Sequence, residues 1–203
     1  MGVKERKERQ KIEMKDLILQ SAHQLFLEKG FEEVSIRNIA EAIEYSPATI
    51  YLYFKDKDEI FYALHGEAFK IFNTFVSPVV TIKDPIERLF ALGDKYIEFA
   101  FLYRNYYDIM FIMISPMECD KNSEGWIEGE TALNFLESIV QECISIGHFK
   151  GQNPRILSFT IWSFMHGTCA LALRNRMKHY PEDERDGLRV QAYEAFKLML
   201  KRI

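Results

Sequence analysis

The stretch that most narrows what this chain can fold into runs from Ser35 to Lys57, SIRNIAEAIEYSPATIYLYFKDK. Ile36, Ile39, Ala40 and Ile43 recur at i, i+3, i+4 and i+7, the single buried stripe of an amphipathic helix. Ser35 stands just ahead of it, where a hydroxyl can accept from an orphan backbone N–H. Glu44-Tyr45 makes a turn, and Ser46-Pro47 opens a second helix. Ser46 is its N-cap, and Pro47 its first residue, where no N–H is needed and φ is already set. In that helix Ile50 and Phe54 point inward, four residues apart. Ala48, Thr49 and Leu52 point away, with Tyr51 and Tyr53 on the flanks. So short a helix does not exist for burial alone. Its outward Thr and Tyr, followed by Lys55 and Lys57, suit a DNA major groove, with its first residues near base edges and hydroxyls and lysines on phosphates.

The surrounding residues extend the pattern. Ala22…Leu25-Phe26…Lys29-Gly30-Phe31 leads into Ser35-Ile36-Arg37-Asn38-Ile39-Ala40 and then Ser46-Pro47-Ala48-Thr49-Ile50-Tyr51-Leu52-Tyr53-Phe54-Lys55-Asp56-Lys57. From Ile18 to Leu64 this resembles the DNA-binding domain of TetR-type (tetracycline-repressor-like) transcriptional regulators. One position departs from the pattern. The turn carries Glu44 where the family has Gly, so either a non-Gly residue adopts a left-handed conformation or the turn is altered.

The rest of the chain reads as helix. A first helix over about 10–29 buries Leu17, Ile18, Ala22, Leu25 and Phe26 and stops at Gly30. Asp58 can cap a fourth, with Ile60, Phe61, Leu64, Ala68, Ile71, Phe72 and Phe75 at helical spacing to about residue 77. Ser77-Pro78 interrupts it. Asp84-Pro85 opens a helix to about Arg104, and an apolar piece, Tyr106–Met113, ends at Ser115-Pro116. Glu118–Gly125 reads as a loop. Further helices run from about Trp126 to Gly147, from Asn153-Pro154, and from Pro181-Glu182 to the C-terminus. The fold class is all-α: a three-helix helix-turn-helix domain (1–57) followed by a six-helix ligand-binding and dimerisation bundle (58–203), about nine helices in the order the resemblance implies.

Between Arg155 and Arg174 stand eighteen residues without Asp, Glu, Lys or Arg, ILSFTIWSFMHGTCALAL. That is the threshold length for a membrane span, but Ser158, Thr160, Ser163, His166 and Thr168 dilute it and no second candidate exists. The reading taken is a helix covered on every side in a bundle, which calls for a partner chain. Trp162…His166-Gly167 resembles the Trp-x3-His-Gly signature of one TetR-type C-terminal domain. The resemblance implies a homodimer through the last two helices, about 154–178 and 183–202.

The net charge of −4 is unevenly spread. Through residue 15 six basic residues face three acidic ones, and through Lys57 the two signs are equal at ten each. The arm is thus either a salt-sensitive DNA contact or a frayed, solvated terminus. The N-terminus has no apolar signal region, so the chain is expected in the cytoplasm, off the membrane. Cys119, Cys143 and Cys169 lack Cys-x-x-Cys spacing and read as reduced intracellular thiols. No Glu-x-x-His pair, phosphate loop or nucleophile elbow occurs, so neither cofactor nor catalytic residue is assigned.

Phe99, Phe101, Tyr103, Tyr106, Tyr107, Met110, Phe111 and Met113 crowd into fifteen residues. Flexible Met and large rings fit an adaptable apolar cavity. The expected lining is Phe99, Tyr103, Tyr107, Met110, Phe111, Trp126, Trp162, Met165, His166 and Cys169, around a small, mostly apolar effector. His166 is either its polar anchor or a satisfied core histidine. The expected DNA contacts are Ser35, Arg37, Ser46, Pro47, Ala48, Thr49, Tyr51, Tyr53, Lys55 and Lys57. Arg37 is a base reader or, equally, a phosphate contact. The function expected is a dimeric repressor released from a palindromic double-stranded operator by its effector. The alternative is a helical small-molecule-binding protein or enzyme of the same fold without DNA binding.

Overall fold

The structure, a computed structural model, describes residues 2–113 and 127–203. Among these residues there are nine α-helices and no strand. They are α1 Val3–Lys29, α2 Ile36–Ala42, α3 Pro47–Ile50, α4 Lys57–Val76, α5 Pro85–Leu102, α6 Arg104–Phe111, α7 Ile127–Ser145, α8 Pro154–Leu173 and α9 Arg185–Leu200. The fold is all-α, as expected. Ser115-Pro116, the Glu118–Gly125 loop, Cys119 and Trp126 lie outside the described residues.

Local chemistry sets the helix starts. Ser35 Oγ accepts from the Asn38 N–H, Ser46 Oγ from Thr49, Asp84 Oδ1 from Ile86 and Glu87, and Asn153 Oδ1 from Ile156. Pro47, Pro85 and Pro154 each take the first helical turn, where their missing N–H costs nothing. Gly30, at φ 85°, stops α1.

Several boundaries differ from expectation. α1 begins at Val3, not near residue 10, and the Gly2 N–H donates to the Glu5 carboxylate at its start. Leu17 is exposed, and Leu19 takes its place in the core, because the buried stripe runs through Ile18, Leu19, Ala22 and Phe26. The α4 cap is Asp56, whose Oδ1 accepts from the Glu59 N–H, rather than Asp58. α3 ends at Ile50 because the chain tightens: the Leu52 and Tyr53 N–H groups reach back only three residues, to Thr49 and Ile50. Short 3-10 turns, Ser77–Thr81 and Glu182–Glu184, occupy the breaks after α4 and before α9.

The chain divides into two compact units. The first holds residues through Ala68 and again those from Asp108; the second holds Phe69–Tyr107 and the chain from α7 onward. Ile18, Phe26, Ile39, Ile50, Phe54, Ile60, Phe61 and Ile109 centre the first core. Phe31 packs on Phe26 and Phe61 with ring centroids 5.3 and 5.0 Å apart. The start of α4 therefore packs with the reader helices, because Ile60, Phe61 and Leu64 complete their core.

In the second unit α5 packs against α7 and α8, and α8 against α9. Arg88 fastens the entry to α5: its guanidinium donates to the Ile82 and Lys83 carbonyls and to Glu142. Tyr193 Oη donates to the Phe90 carbonyl at 2.8 Å, and Phe164 stacks on Phe196 at 3.9 Å. The expectation that α8 is covered on all sides does not hold within one chain. Leu157, Ile161, Met165, Cys169 and Leu173 are buried, but Ile156, Phe159 and Leu171 are more than half exposed. By length and composition α8 could also cross a membrane.

Candidate nucleic-acid interface and effector site

The turn between α2 and α3 is held by one residue in an unusual conformation. Glu44 has φ 61°, the left-handed region, and the Tyr45 N–H returns to the Ala40 carbonyl. A side chain is tolerated there at a cost of about 1–2 kcal/mol. Beyond it Ser46 caps α3, and its hydroxyl lies 3.0 Å from that of Thr49. Ile50 and Phe54 anchor the segment at 0% and 3% exposure, while Tyr51 and Leu52 stand out at 57% and 77%. Ser35, Arg37, Ser46, Pro47, Ala48 and Lys55 are exposed as well. Thr49 is half-buried, and Tyr53 is half-buried against the core.

All three basic candidates are already engaged, Lys55 most loosely, with its Nζ 3.9 Å from Asp56 Oδ2 at the surface. Arg37 Nε pairs with Glu41 Oε1 at 3.0 Å across one exposed helical turn. Such a pair is worth only about 0.3–0.5 kcal/mol, so it leaves Arg37 readily available. Lys57 differs: its Nζ donates to the Phe31 carbonyl at 2.7 Å and lies 4.1 Å from the Phe31 ring centroid. It clamps the end of α1 to the start of α4, a role that only long-range packing reveals.

The second unit brings part of the expected effector lining together. Tyr107 is fully buried, with its hydroxyl 3.0 Å from His166 Nδ1 and 3.3 Å from the His166 carbonyl. Tyr96 Oη lies 3.4 Å from the same nitrogen, and Tyr96 also hydrogen-bonds the Trp162 side chain. Burial lowers the His166 pKa, so the neutral ring is the resting form. Burial likewise pushes Tyr96 well above the ordinary tyrosine value, and the Cys169 thiol to about 12. Phe99 is buried beside Tyr103 at 5.2 Å, and Phe72 and Phe75 pack edge-on to this group. Met165 and Cys169 are buried on the same helix as His166.

Not all candidates join this cluster. Met110 and Phe111 lie past Asp108 and belong to the first unit, where His65 hydrogen-bonds the Met110 backbone. α6 continues beyond Tyr107, so its last turn packs with the reader helices. Trp126 lies outside the described residues. Tyr96 is not among the expected lining residues, although it precedes Phe99 by three residues on the same helix, α5. A separate groove of about 190 Å³, lined by Phe101, Asn175, Lys178 and Arg185, involves none of the expected residues.

Residues 18–64 match the family described as bacterial regulatory proteins, tetR family, and residues 89–194 match the tetracyclin repressor-like C-terminal domain. The chain belongs to the TetR family of transcriptional regulators. It is 23% identical over 191 residues to the HTH-type transcriptional regulator HbdR of Aromatoleum sp. (strain CIB), covering 93% of this chain and 80% of that one. To the HTH-type transcriptional regulator SAB2452 of Staphylococcus aureus (strain bovine RF122 / ET3-1) it is 36% identical over 74 residues. That match spans only 36% of this chain and 38% of that relative. Among solved TetR-like structures, the fatty acid degradation regulator FadR from Bacillus halodurans superposes with a TM-score of 0.72 at 18% identity, covering 92% of this chain and 94% of that one. AibR in complex with isovaleryl coenzyme A and operator DNA superposes at 0.65, also with 18% identity, over 92% and 97%. FadR from Bacillus subtilis in complex with stearoyl-CoA does so at 0.69 with 22% identity, over 92% and 98%. These likenesses show the fold.

Proposed function

We propose that this TetR-family regulator is a cytoplasmic homodimer that represses transcription from a palindromic operator and is released by a small, mostly apolar effector. The observation that carries the reading is the Ser46-capped α3, anchored by Ile50 and Phe54, which presents Ala48, Tyr51 and Leu52 to solvent. Ser35, Arg37, Ser46, Pro47, Ala48, Thr49, Tyr51, Tyr53 and Lys55 form the DNA face, and Lys57 positions it. The functional division follows Lys57, residues 1–57 reading DNA and 58–203 sensing and dimerising.

The exposed apolar faces of α8 and α9, with Ile156, Phe159, Leu171, Val190 and Leu198, support pairing through the last two helices. Paired chains would set two α3 segments in successive major grooves, about 34–36 Å apart or somewhat more. The effector enters among Phe99, Tyr103, Tyr107, Trp162, Met165, His166 and Cys169, with Tyr107 and His166 as its polar anchors. It must bind the DNA-free state more tightly, or it shifts nothing. Two structural neighbours hold acyl-CoA, so acyl thioesters of graded length belong in the ligand panel.

The test is selection from a random-sequence duplex pool, followed by gel shift across salt concentrations. Recovery of a palindrome, with retardation relieved by one panel member, is the expected result. Absence of selective retention at low salt would refute DNA reading.

A further inference from the structure

Four lysines, Lys4, Lys7, Lys11 and Lys15, fall at three- and four-residue spacing along the first half of α1. At about 100° per residue they share one face of the helix, and that face continues directly into Ile18 and Ala22, which are buried in the first unit. The stripe therefore looks the same way as the surface on which α2 and α3 pack. Its last member fixes the direction: Lys15 Nζ lies 5.3 Å from the Phe54 ring centroid, at the end of the segment that α3 begins. From there to Lys4 the helix rises about 16 Å.

The rest of the surface is differently charged. Glu5, Glu13 and Asp16 project from the far side, where Arg9 pairs with Glu13 at 3.5 Å, and Glu8 flanks the stripe. Lys4, Lys7 and Lys11 are exposed and make no ion pair among the described residues. An exposed helix has no packing reason to continue the buried face of α1 as lysine. A partner with regularly spaced negative charge supplies one. Duplex DNA carries one charge per about 1.7 Å of axis, so the stripe spans several phosphates.

We propose that the first turns of α1 form a second DNA contact, laying Lys4, Lys7 and Lys11 along the phosphate backbone beyond the base pairs reached by α3. This rests on the DNA-reading function proposed above, and it adds a sequence-independent grip on the operator flank.

The experiment uses full-length protein and a duplex that the wild-type protein recovers from a random pool. Affinity is measured by anisotropy across a salt series. The triple variant Lys4→Gln, Lys7→Gln, Lys11→Gln is compared with Arg6→Gln, Arg9→Gln, which removes charge from the opposite side. The triple variant should flatten the slope of log K against log salt by about 2.7 per protomer, at 0.9 per phosphate contact. The arginine pair should change it by less than half as much. Lys4→Arg, Lys7→Arg, Lys11→Arg keeps the charge and should keep the wild-type slope, which separates charge from any loss of helix. Specific binding with an unchanged slope in the triple glutamine variant overturns this contact while leaving α3 as the reader. Equal effects from the lysine and arginine sets also overturn it. Failure of the wild-type protein to select any duplex overturns the DNA-reading function itself.

Discussion

Replacing Gly93 by alanine tests how tightly α5 and α9 are fitted. Gly93 is buried in α5, and a Cβ built there would lie 2.1 Å from the Tyr193 hydroxyl oxygen, 2.9 Å from its Cζ and 3.4 Å from Met165 Cε. The tyrosine has little room to yield. Its ring is buried, Lys197 Nζ sits 4.3 Å from the ring centroid, and the hydroxyl donates to the Phe90 carbonyl. Displacing it costs the buried hydrogen bond, about 1–3 kcal/mol, and overpacks the interface by about 1–3 kcal/mol. The better helix propensity of alanine returns about 1 kcal/mol. The net loss is about 3 kcal/mol, which lowers the melting temperature of a chain this size by about 6–12 °C. Differential scanning calorimetry of the full chain reads it. Adding Tyr193→Phe removes the closest atom, so the double variant should be less destabilised than the sum of the singles by at least about 1 kcal/mol. A Gly93→Ala protein that melts at or above the wild-type temperature would refute this account of the interface.

Arg37→Ala should weaken operator binding by about 1–3 kcal/mol and relax preference at one base position if the guanidinium reads a base; uniform loss across sequences, measured by competition, would make it a phosphate contact. Glu44→Gly removes the left-handed strain of about 1–2 kcal/mol against an unfolded-state entropy cost of about 0.4–1 kcal/mol, so thermal unfolding should shift slightly upward. Burial lowers the pKa of His23, His65 and His166 from 6.5. Below pH 6.5 the unfolded chain therefore binds more protons than the native one. The stability these neutral rings contribute is full above pH 6.5 and falls as pH drops toward their native values. Melting curves from pH 7.5 to 5.5 should show that fall, and His166→Gln should reduce it.

Much of this fold was legible because its punctuation is local. Ser46-Pro47, Asp84-Pro85 and Asn153-Pro154 each place a side-chain acceptor beside a residue suited to the first helical turn, and all three caps form. The inward pair Ile50 and Phe54 was equally readable from a four-residue spacing. What could not be read depends on partners distant in the chain. Lys57 looks like any basic residue after a recognition segment until Phe31, 26 positions earlier, offers its carbonyl. Met110 and Phe111 share the aromatic run with Tyr107, but the boundary between compact units falls inside that run. Tyr96 stands one helical turn before Phe99 in α5, yet only the approach of α8 turns it into a neighbour of His166.

If the effector enters where proposed above, the pairing of Tyr107 with His166 bears on what kind of guest is favoured. Both groups already hydrogen-bond one another, so a molecule entering between them competes with side chains. A bare hydrocarbon that parted them would strand two polar atoms, at about 1–3 kcal/mol each. A guest with one carbonyl or hydroxyl at that depth would restore what it broke. Selectivity here would thus arise less from the shape of the greasy walls than from a single polar atom set at the right place along the guest.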